Sequence, residues 1–130
     1  MKKAFSIFYI VFIFVSMQVC AYELNWTRID DNNFVDYDSV VGADDMYGFS
    51  FLMKSYNKGQ YEPVNGRNIL YTLSHYELNC ARHTYKIGIM DSYDKNDGFV
   101  NGDYNRYSEF QPVVEGSAVS VVAERLCKSK

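Results

Sequence analysis

The sequence predicts an α+β fold that is mainly β: a single antiparallel sheet of about six strands with a C-terminal helix packed on it and tied to it by a disulfide. Three features carry that expectation. Segments rich in aromatic and β-branched residues alternate in polarity and are separated by clusters of Asp, Asn and Gly. After Gly116 the apolar period changes from two residues to about 3.6. Two cysteines, Cys80 and Cys127, remain once an N-terminal leader is set aside.

The leader is read from residues 1–21, leaving a single domain over 22–130. Lys2 and Lys3 precede an uncharged apolar run from Ala4 to Met17, and Val19-Cys20-Ala21 supplies the cleavage region. A membrane span needs roughly 20 apolar residues, so this run is too short to be one and fits a signal-peptide core. The expectation is an exported chain with no transmembrane segment in its mature part. A lipid anchor on Cys20 would need a small residue before it, where Val19 stands.

Two of the 13 basic residues leave with the leader, so 11 remain against 16 acidic ones, a formal charge of −5. A chain this acidic has no electrostatic footprint for nucleic acid, whose phosphates must be neutralised on binding. Export also sets the redox compartment. Cys80 and Cys127 are expected to bridge there, with free or metal-binding thiols as the alternatives. A bridge closing a loop of this length would stabilise the fold by about 4 kcal/mol in the chain-entropy account.

The strands follow in order. Leu24, Trp26 and Arg28 alternate with Glu23, Asn25 and Thr27, and a second strand runs from Phe34 to Val41. From Tyr47 to Tyr56, the residues Tyr47, Phe49, Phe51 and Met53 share a face. In Ile69 to Cys80, one side carries Leu70, Thr72, Tyr76, Leu78 and Cys80, the other Tyr71, Leu73, His75 and Glu77. His83 to Met90 alternates through Tyr85, Ile87 and Ile89, and a last strand is expected from Tyr104 to Phe110. Linkers this short favour antiparallel pairing, because a parallel crossover needs a dozen or more residues.

Ser117 is placed to cap a helix through its side-chain oxygen. Val119, Val122, Ala123, Leu126 and Cys127 then form one apolar stripe, with Glu124 and Lys128 at an i,i+4 spacing on the other side. The valines favour a strand, but the cap and the period agree on a helix. Cys127 lies on the stripe and Cys80 on the face of Leu78, so a bridge would pin helix to sheet.

Catalytic apparatus is not visible, and no cofactor or metal is expected. His75 and His83 lack a third ligand at zinc spacing. Asp94-Lys95-Asn96-Asp97-Gly98 resembles a calcium loop, but its glycine is fifth and Asn105 stands where a bidentate glutamate belongs; a hairpin turn explains it. Asp36 and Asp38 form an acidic pair on one strand face and Glu62 lies in a loop, a pattern common by chance in an acidic domain. The expectation is a non-enzyme.

Aromatic residues are the one excess, with 12 tyrosines and 9 phenylalanines. Trp26, Phe49, Phe51 and Phe110 read as core. Tyr56, Tyr61, Tyr93, Tyr104 and Tyr107 lie in or beside turn-rich segments and are expected to be exposed as a binding surface, since tyrosine is favoured at interfaces. Tyrosine on a solvated strand face is the alternative.

Asn25-Trp26-Thr27-Arg28-Ile29, the block Phe34 to Val40, Ser74-His75-Tyr76-Glu77-Leu78-Asn79-Cys80 and Phe110 to Ser117 with Cys127 beyond it together resemble the surface-adhesin protein E family. The resemblance implies an antiparallel sheet of about six strands with a disulfide-tethered terminal helix. It also implies a bacterial outer-surface protein that binds host extracellular-matrix or serum proteins such as vitronectin, laminin and plasminogen. The alternative is a periplasmic structural or small-ligand-binding domain, with a concave apolar pocket between helix and sheet. Exposed strand edges leave a homodimer open.

Overall fold

The computed structural model describes residues 24–42, 48–104 and 108–128. The expected leader, Tyr47 and Tyr107 lie outside the described residues. Seven strands form one antiparallel sheet: β1 (Trp26–Arg28), β2 (Asn33–Gly42), β3 (Gly48–Tyr56), β4 (Tyr71–Asn79), β5 (Thr84–Tyr93), β6 (Phe99–Tyr104) and β7 (Gln111–Pro112). Strands β1 to β6 lie side by side in chain order, and β7 pairs with the other end of β5 beside β6. The helix α1 (Ala118–Cys127) follows.

Alternation decides which residues face the helix. Register aligns Phe49 with Leu78, Phe51 with Tyr76, and Val35 with Met53. Val35, Phe51, Met53 and Leu78 are buried together with Val113 and, from α1, Val119, Val122 and Ala123. Phe51, Tyr76 and Tyr85 stack in a row on this side, with centroids 5.3 and 5.8 Å apart.

α1 begins where Gly116, at φ 86°, turns the chain in a way that favours glycine. Ser117 then caps it, its hydroxyl oxygen accepting from the N–H of Ser120 at 3.3 Å. Lys128 Nζ reaches Glu124 at 2.8 Å, the expected surface pair. Cys80, just after β4, and Cys127, in the last turn of α1, are bridged with their Cα atoms 5.5 Å apart, a normal span for a disulfide.

Several expectations are corrected. Of the strand placed at Tyr104 to Phe110, residues 105–107 lie outside the described residues and 108–110 are not strand; the described strands here are Phe99–Tyr104 and Gln111–Pro112. β6 is rich in Asn, Gly and Asp, which read as a turn, yet an edge strand tolerates them because it pairs on one side. Phe110 is exposed, not core, and Trp26 is half-buried on the face away from the helix. Leu70 stops short of β4 and is exposed. The pair Asp36 and Asp38 is split by a bulge: between Asp36 opposite Leu52 and Val41 opposite Ser50, β2 carries extra residues. Asp36 is fully buried there while Asp38 is exposed. Asp36 Oδ1 accepts the Asp38 N–H at 3.0 Å. Ser39 Oγ donates to the Asp36 carbonyl at 2.6 Å and accepts from the Leu52 N–H at 3.2 Å. The serine hydroxyl thus supplies the ladder bond that the bulge removes.

Candidate binding face

Among the described residues one helix packs on the sheet, and no second layer covers its other face. Register places three cross-strand rows on that side. Tyr56, Tyr71, Tyr93 and Phe99 are paired across β3 to β6. Next along the strands come Phe34, Lys54, Leu73, Asp91 and Gly102, and then Asp36, Leu52, His75, Ile89 and Tyr104. The intervening residues of the same strands, among them Ser55, Thr72 and Ser92, point to the helix side.

The first row, joined at one end by Phe34 of the second, is a continuous line of rings. Phe34 meets Tyr56 edge-on at 5.7 Å, and Tyr56 meets Tyr71 at 5.9 Å. Tyr71 stacks on Tyr93 at 5.2 Å, and Tyr93 meets Phe99 edge-on at 5.9 Å. Pairs of this geometry contribute beyond their buried area. Exposure rises along the row toward the sheet edge, from 8% at Tyr71 to 56% at Phe99.

Lys54 sits among these rings. Its Nζ lies 4.3 Å from the ring centre of Tyr71, 5.1 Å from Tyr56 and 5.8 Å from Trp26. Among the described residues no carboxylate lies within ion-pair distance of it, so the ring faces are its electrostatic partners. Tyr71 is held from the other side: its hydroxyl donates to Asp97 Oδ1 at 2.9 Å. Burial and that hydrogen bond push the Tyr71 hydroxyl up to about 12.

The hairpin from β5 to β6 is rigidified below the row. Asp94 Oδ1 accepts the N–H groups of Asn96 and Gly98, at 2.9 and 2.8 Å, while Asp97 adopts φ 59°. Arg67, from the loop between β3 and β4, donates to Asp94 Oδ2 and, at 3.0 Å, to the carbonyl of Phe99. The Arg67 hydrogen bond and those N–H groups hold the Asp94 carboxyl at about 2. A depressed carboxyl contributes stability that is present above its unfolded value, near pH 4, and is lost as pH falls through about 2. Substituting Arg67→Met is expected to raise the Asp94 midpoint toward 3.8 and flatten this acid limb, as read by carboxyl NMR titration and unfolding at pH 2 to 5. An unmoved midpoint would show that Arg67 is not the cause.

Of the tyrosines singled out from sequence, Tyr56 and Tyr93 belong to the row and are half-buried by their neighbours, not exposed. Tyr104 is on the same face and exposed; Tyr61 is exposed in the loop after β3, outside the row. Phe34, Tyr71, Phe99, Trp26 and Lys54 were missed. Alternation had already put Tyr71 on the side away from Leu78, which was the available signal.

His75 is exposed on this face, whereas His83 forms the turn after β4 at φ 56°, and its backbone carbonyl accepts the Val113 N–H at 3.0 Å. Among the described residues no group of three or more His, Cys, Asp or Glu side chains could hold a metal ion. Two cavities of about 430 and 400 Å³ meet at Lys86, Gly88 and Ser108, along the β5 edge between β6 and β7 rather than between helix and sheet. No described helix is long and apolar enough to cross a membrane.

These features define a single-sheet α+β domain with a disulfide-stapled helix on one face and an aromatic row on the other. The sequence model of surface-adhesin protein E matches residues 26–128, and the chain belongs to that family. Solved structures of Haemophilus influenzae protein E share the fold. One crystal form has a TM-score of 0.61 at 14% identity, covering 81% of this chain and 88% of that one. A second has a TM-score of 0.59 at 15% identity, covering 81% and 85%. Protein E from non-typeable H. influenzae has a TM-score of 0.58 at 16% identity, covering 81% and 76%. No curated protein matches the sequence significantly.

Proposed function

We propose that this chain is an exported, non-enzymatic binding module of the bacterial surface that adheres to host extracellular-matrix or serum proteins through the helix-free face of its sheet. The observation that carries the reading is the line of rings from Phe34 to Phe99, ending in exposed Phe99, with exposed Tyr104 two rows away on the same face. A contiguous aromatic face is the usual anchor of a protein interface, and most binding energy resides in a few such residues. Family membership supports adhesion, and the apolar run after Lys2 and Lys3 supports export by a cleaved leader.

The test is solid-phase binding of the purified domain to vitronectin, laminin and plasminogen, with an unrelated acidic protein as control. The double variant Phe99→Ser/Tyr104→Ser removes two exposed rings and is expected to keep the fold while lowering affinity at least tenfold, a hot-spot loss of about 1.4 kcal/mol or more. Wild-type binding no stronger than the control would reject the reading. Protease shaving of intact cells tests the location: cleavage is expected, and full protection would favour a periplasmic role.

A further inference from the structure

The sheet is interrupted along one stretch of β5. β6 pairs with the part from Ile89 to Tyr93, and β7 with Thr84 and Tyr85. Among the described residues no strand pairs with the outer side of Lys86, Ile87 and Gly88 between them. β5 also bulges there: His75 stands opposite Ile89 and Tyr76 opposite Ile87, which leaves Gly88 without a partner in β4. A Cβ added at Gly88 would meet nothing within 4 Å, so the space beside it is open. Both cavities border it, sharing Lys86, Gly88 and Ser108.

The cavity of about 400 Å³ reaches onto the helix-free face, and its volume is that of a small-molecule site. Two cross-strand rows line it: Ser50, Glu77 and Lys86, then His75, Ile89 and Tyr104. The charge of its lining is balanced. Lys86 Nζ lies 3.1 Å from Glu77 Oε2 and 5.1 Å from the centre of the Phe110 ring. Such a pair offers donors and acceptors without calling for a counter-ion. The side chains of Ser50, His75, Tyr104 and Ser108 make no hydrogen bond or ion pair among the described residues. Hydroxyls and neutral imidazole each donate and accept. Ile89 and Tyr104, directly opposite one another and 36% and 63% exposed, add an apolar patch.

These are the requirements of a polyol. Each sugar hydroxyl also donates and accepts, and the C–H face of a pyranose ring packs on an exposed aromatic ring. A peptide backbone carries its donors and acceptors on separate groups, so four side chains that do both favour the sugar. The balanced pair gives no advantage to a charged ligand.

We propose that the bulge at Gly88 opens a site for an uncharged sugar residue, its hydroxyls held by Ser50, His75, Glu77 and Lys86 and its apolar face on Tyr104. This rests on reading the helix-free face as a binding surface and gives that face a glycan site apart from the line of rings.

The probes are methyl β-D-galactopyranoside and methyl β-D-glucopyranoside, titrated into ¹⁵N-labelled oxidised protein, with glucuronate and glucosamine as charged controls. Shifts are expected in the amides of residues 50, 75–77, 86–89 and 104. At least one glycoside is expected to bind with a Kd of about 1 mM, and both charged sugars roughly tenfold more weakly. Gly88→Val fills the open space with a residue favoured in strands, and is expected to abolish the shifts while circular dichroism stays unchanged. His75→Ala, at an exposed position, is expected to weaken binding roughly tenfold and keeps the test valid should Gly88→Val fail to fold. No shift with either glycoside, equal binding of a charged sugar, or wild-type affinity in His75→Ala overturns the proposal. Shifts of the same amides by N-acetylglycine methylamide but by neither glycoside overturn it in favour of a peptide. Shifts centred on Phe34 and Tyr56 overturn the sugar site but leave the binding face standing. Sugar shifts in a protein that fails the solid-phase assay uphold the site and reject only host-protein adhesion.

Discussion

Removing the Cys80–Cys127 bridge, by reduction or by replacing both cysteines with alanine, is expected to lower stability by about 4 kcal/mol. The bridge closes a long loop, its cysteines 47 residues apart, so it removes much conformational freedom from the unfolded chain. That loss is a large fraction of the 5 to 15 kcal/mol typical of a whole domain. It should fall first on α1. A ten-residue helix is marginal alone, and this one is held by one apolar stripe and the bridge at its last turn. Urea unfolding of oxidised and reduced protein, followed by far-UV circular dichroism, measures the difference. Coincident curves would contradict the assignment of the bridge as the main tether.

The second large effect is expected from Phe51→Ala, at roughly 3 to 5 kcal/mol. Phe51 is 1% exposed, at the centre of the core between the middle strands and α1. Its removal leaves a cavity and takes the stacking partner from Tyr76, at 5.3 Å. Tyr76 supplies an independent readout. Burial, helped by Tyr85 and Tyr61, pushes its hydroxyl up to about 12. A group whose folded value is raised contributes stability that is complete below its unfolded value near 10 and is lost as pH rises through about 12. Opening the core in Phe51→Ala should bring the tyrosinate absorbance at 295 nm in at lower pH. A urea midpoint and an absorbance titration both equal to wild type would show that this ring does not hold the core.

Most of the fold is legible in the sequence because period is a local signal. Alternation around Phe51 and Met53 located β3, the split of Tyr71 and Leu73 from Thr72 and Leu78 described both faces of β4, and the stripe Val119, Val122, Ala123 outlined the helix. The disulfide followed from the cysteine count and the expectation of export. β6 was hidden because Asn101-Gly102-Asp103 has turn composition, and only pairing with β5 makes it a strand. The β2 bulge was equally hidden, since Val35, Asp36, Tyr37 and Asp38 alternate in sequence as an ordinary strand would. The aromatic row depends on register: Tyr56, Tyr71, Tyr93 and Phe99 are far apart in the chain, and loops and bulges set which rings meet. Local reading could identify aromatics near turns, but not that Tyr56 and Tyr93 would cover one another's neighbours.

The staple also divides the polypeptide into a linear part and a ring. Strands β1 to β4 precede Cys80, while β5, β6, β7 and α1 all lie between the two joined sulfurs. A protease that severs one peptide bond in the exposed edge therefore opens the ring without freeing a fragment. Both pieces stay covalently joined and migrate as one species until a reductant is added, so a nick in β6 leaves the molecule in one covalent piece.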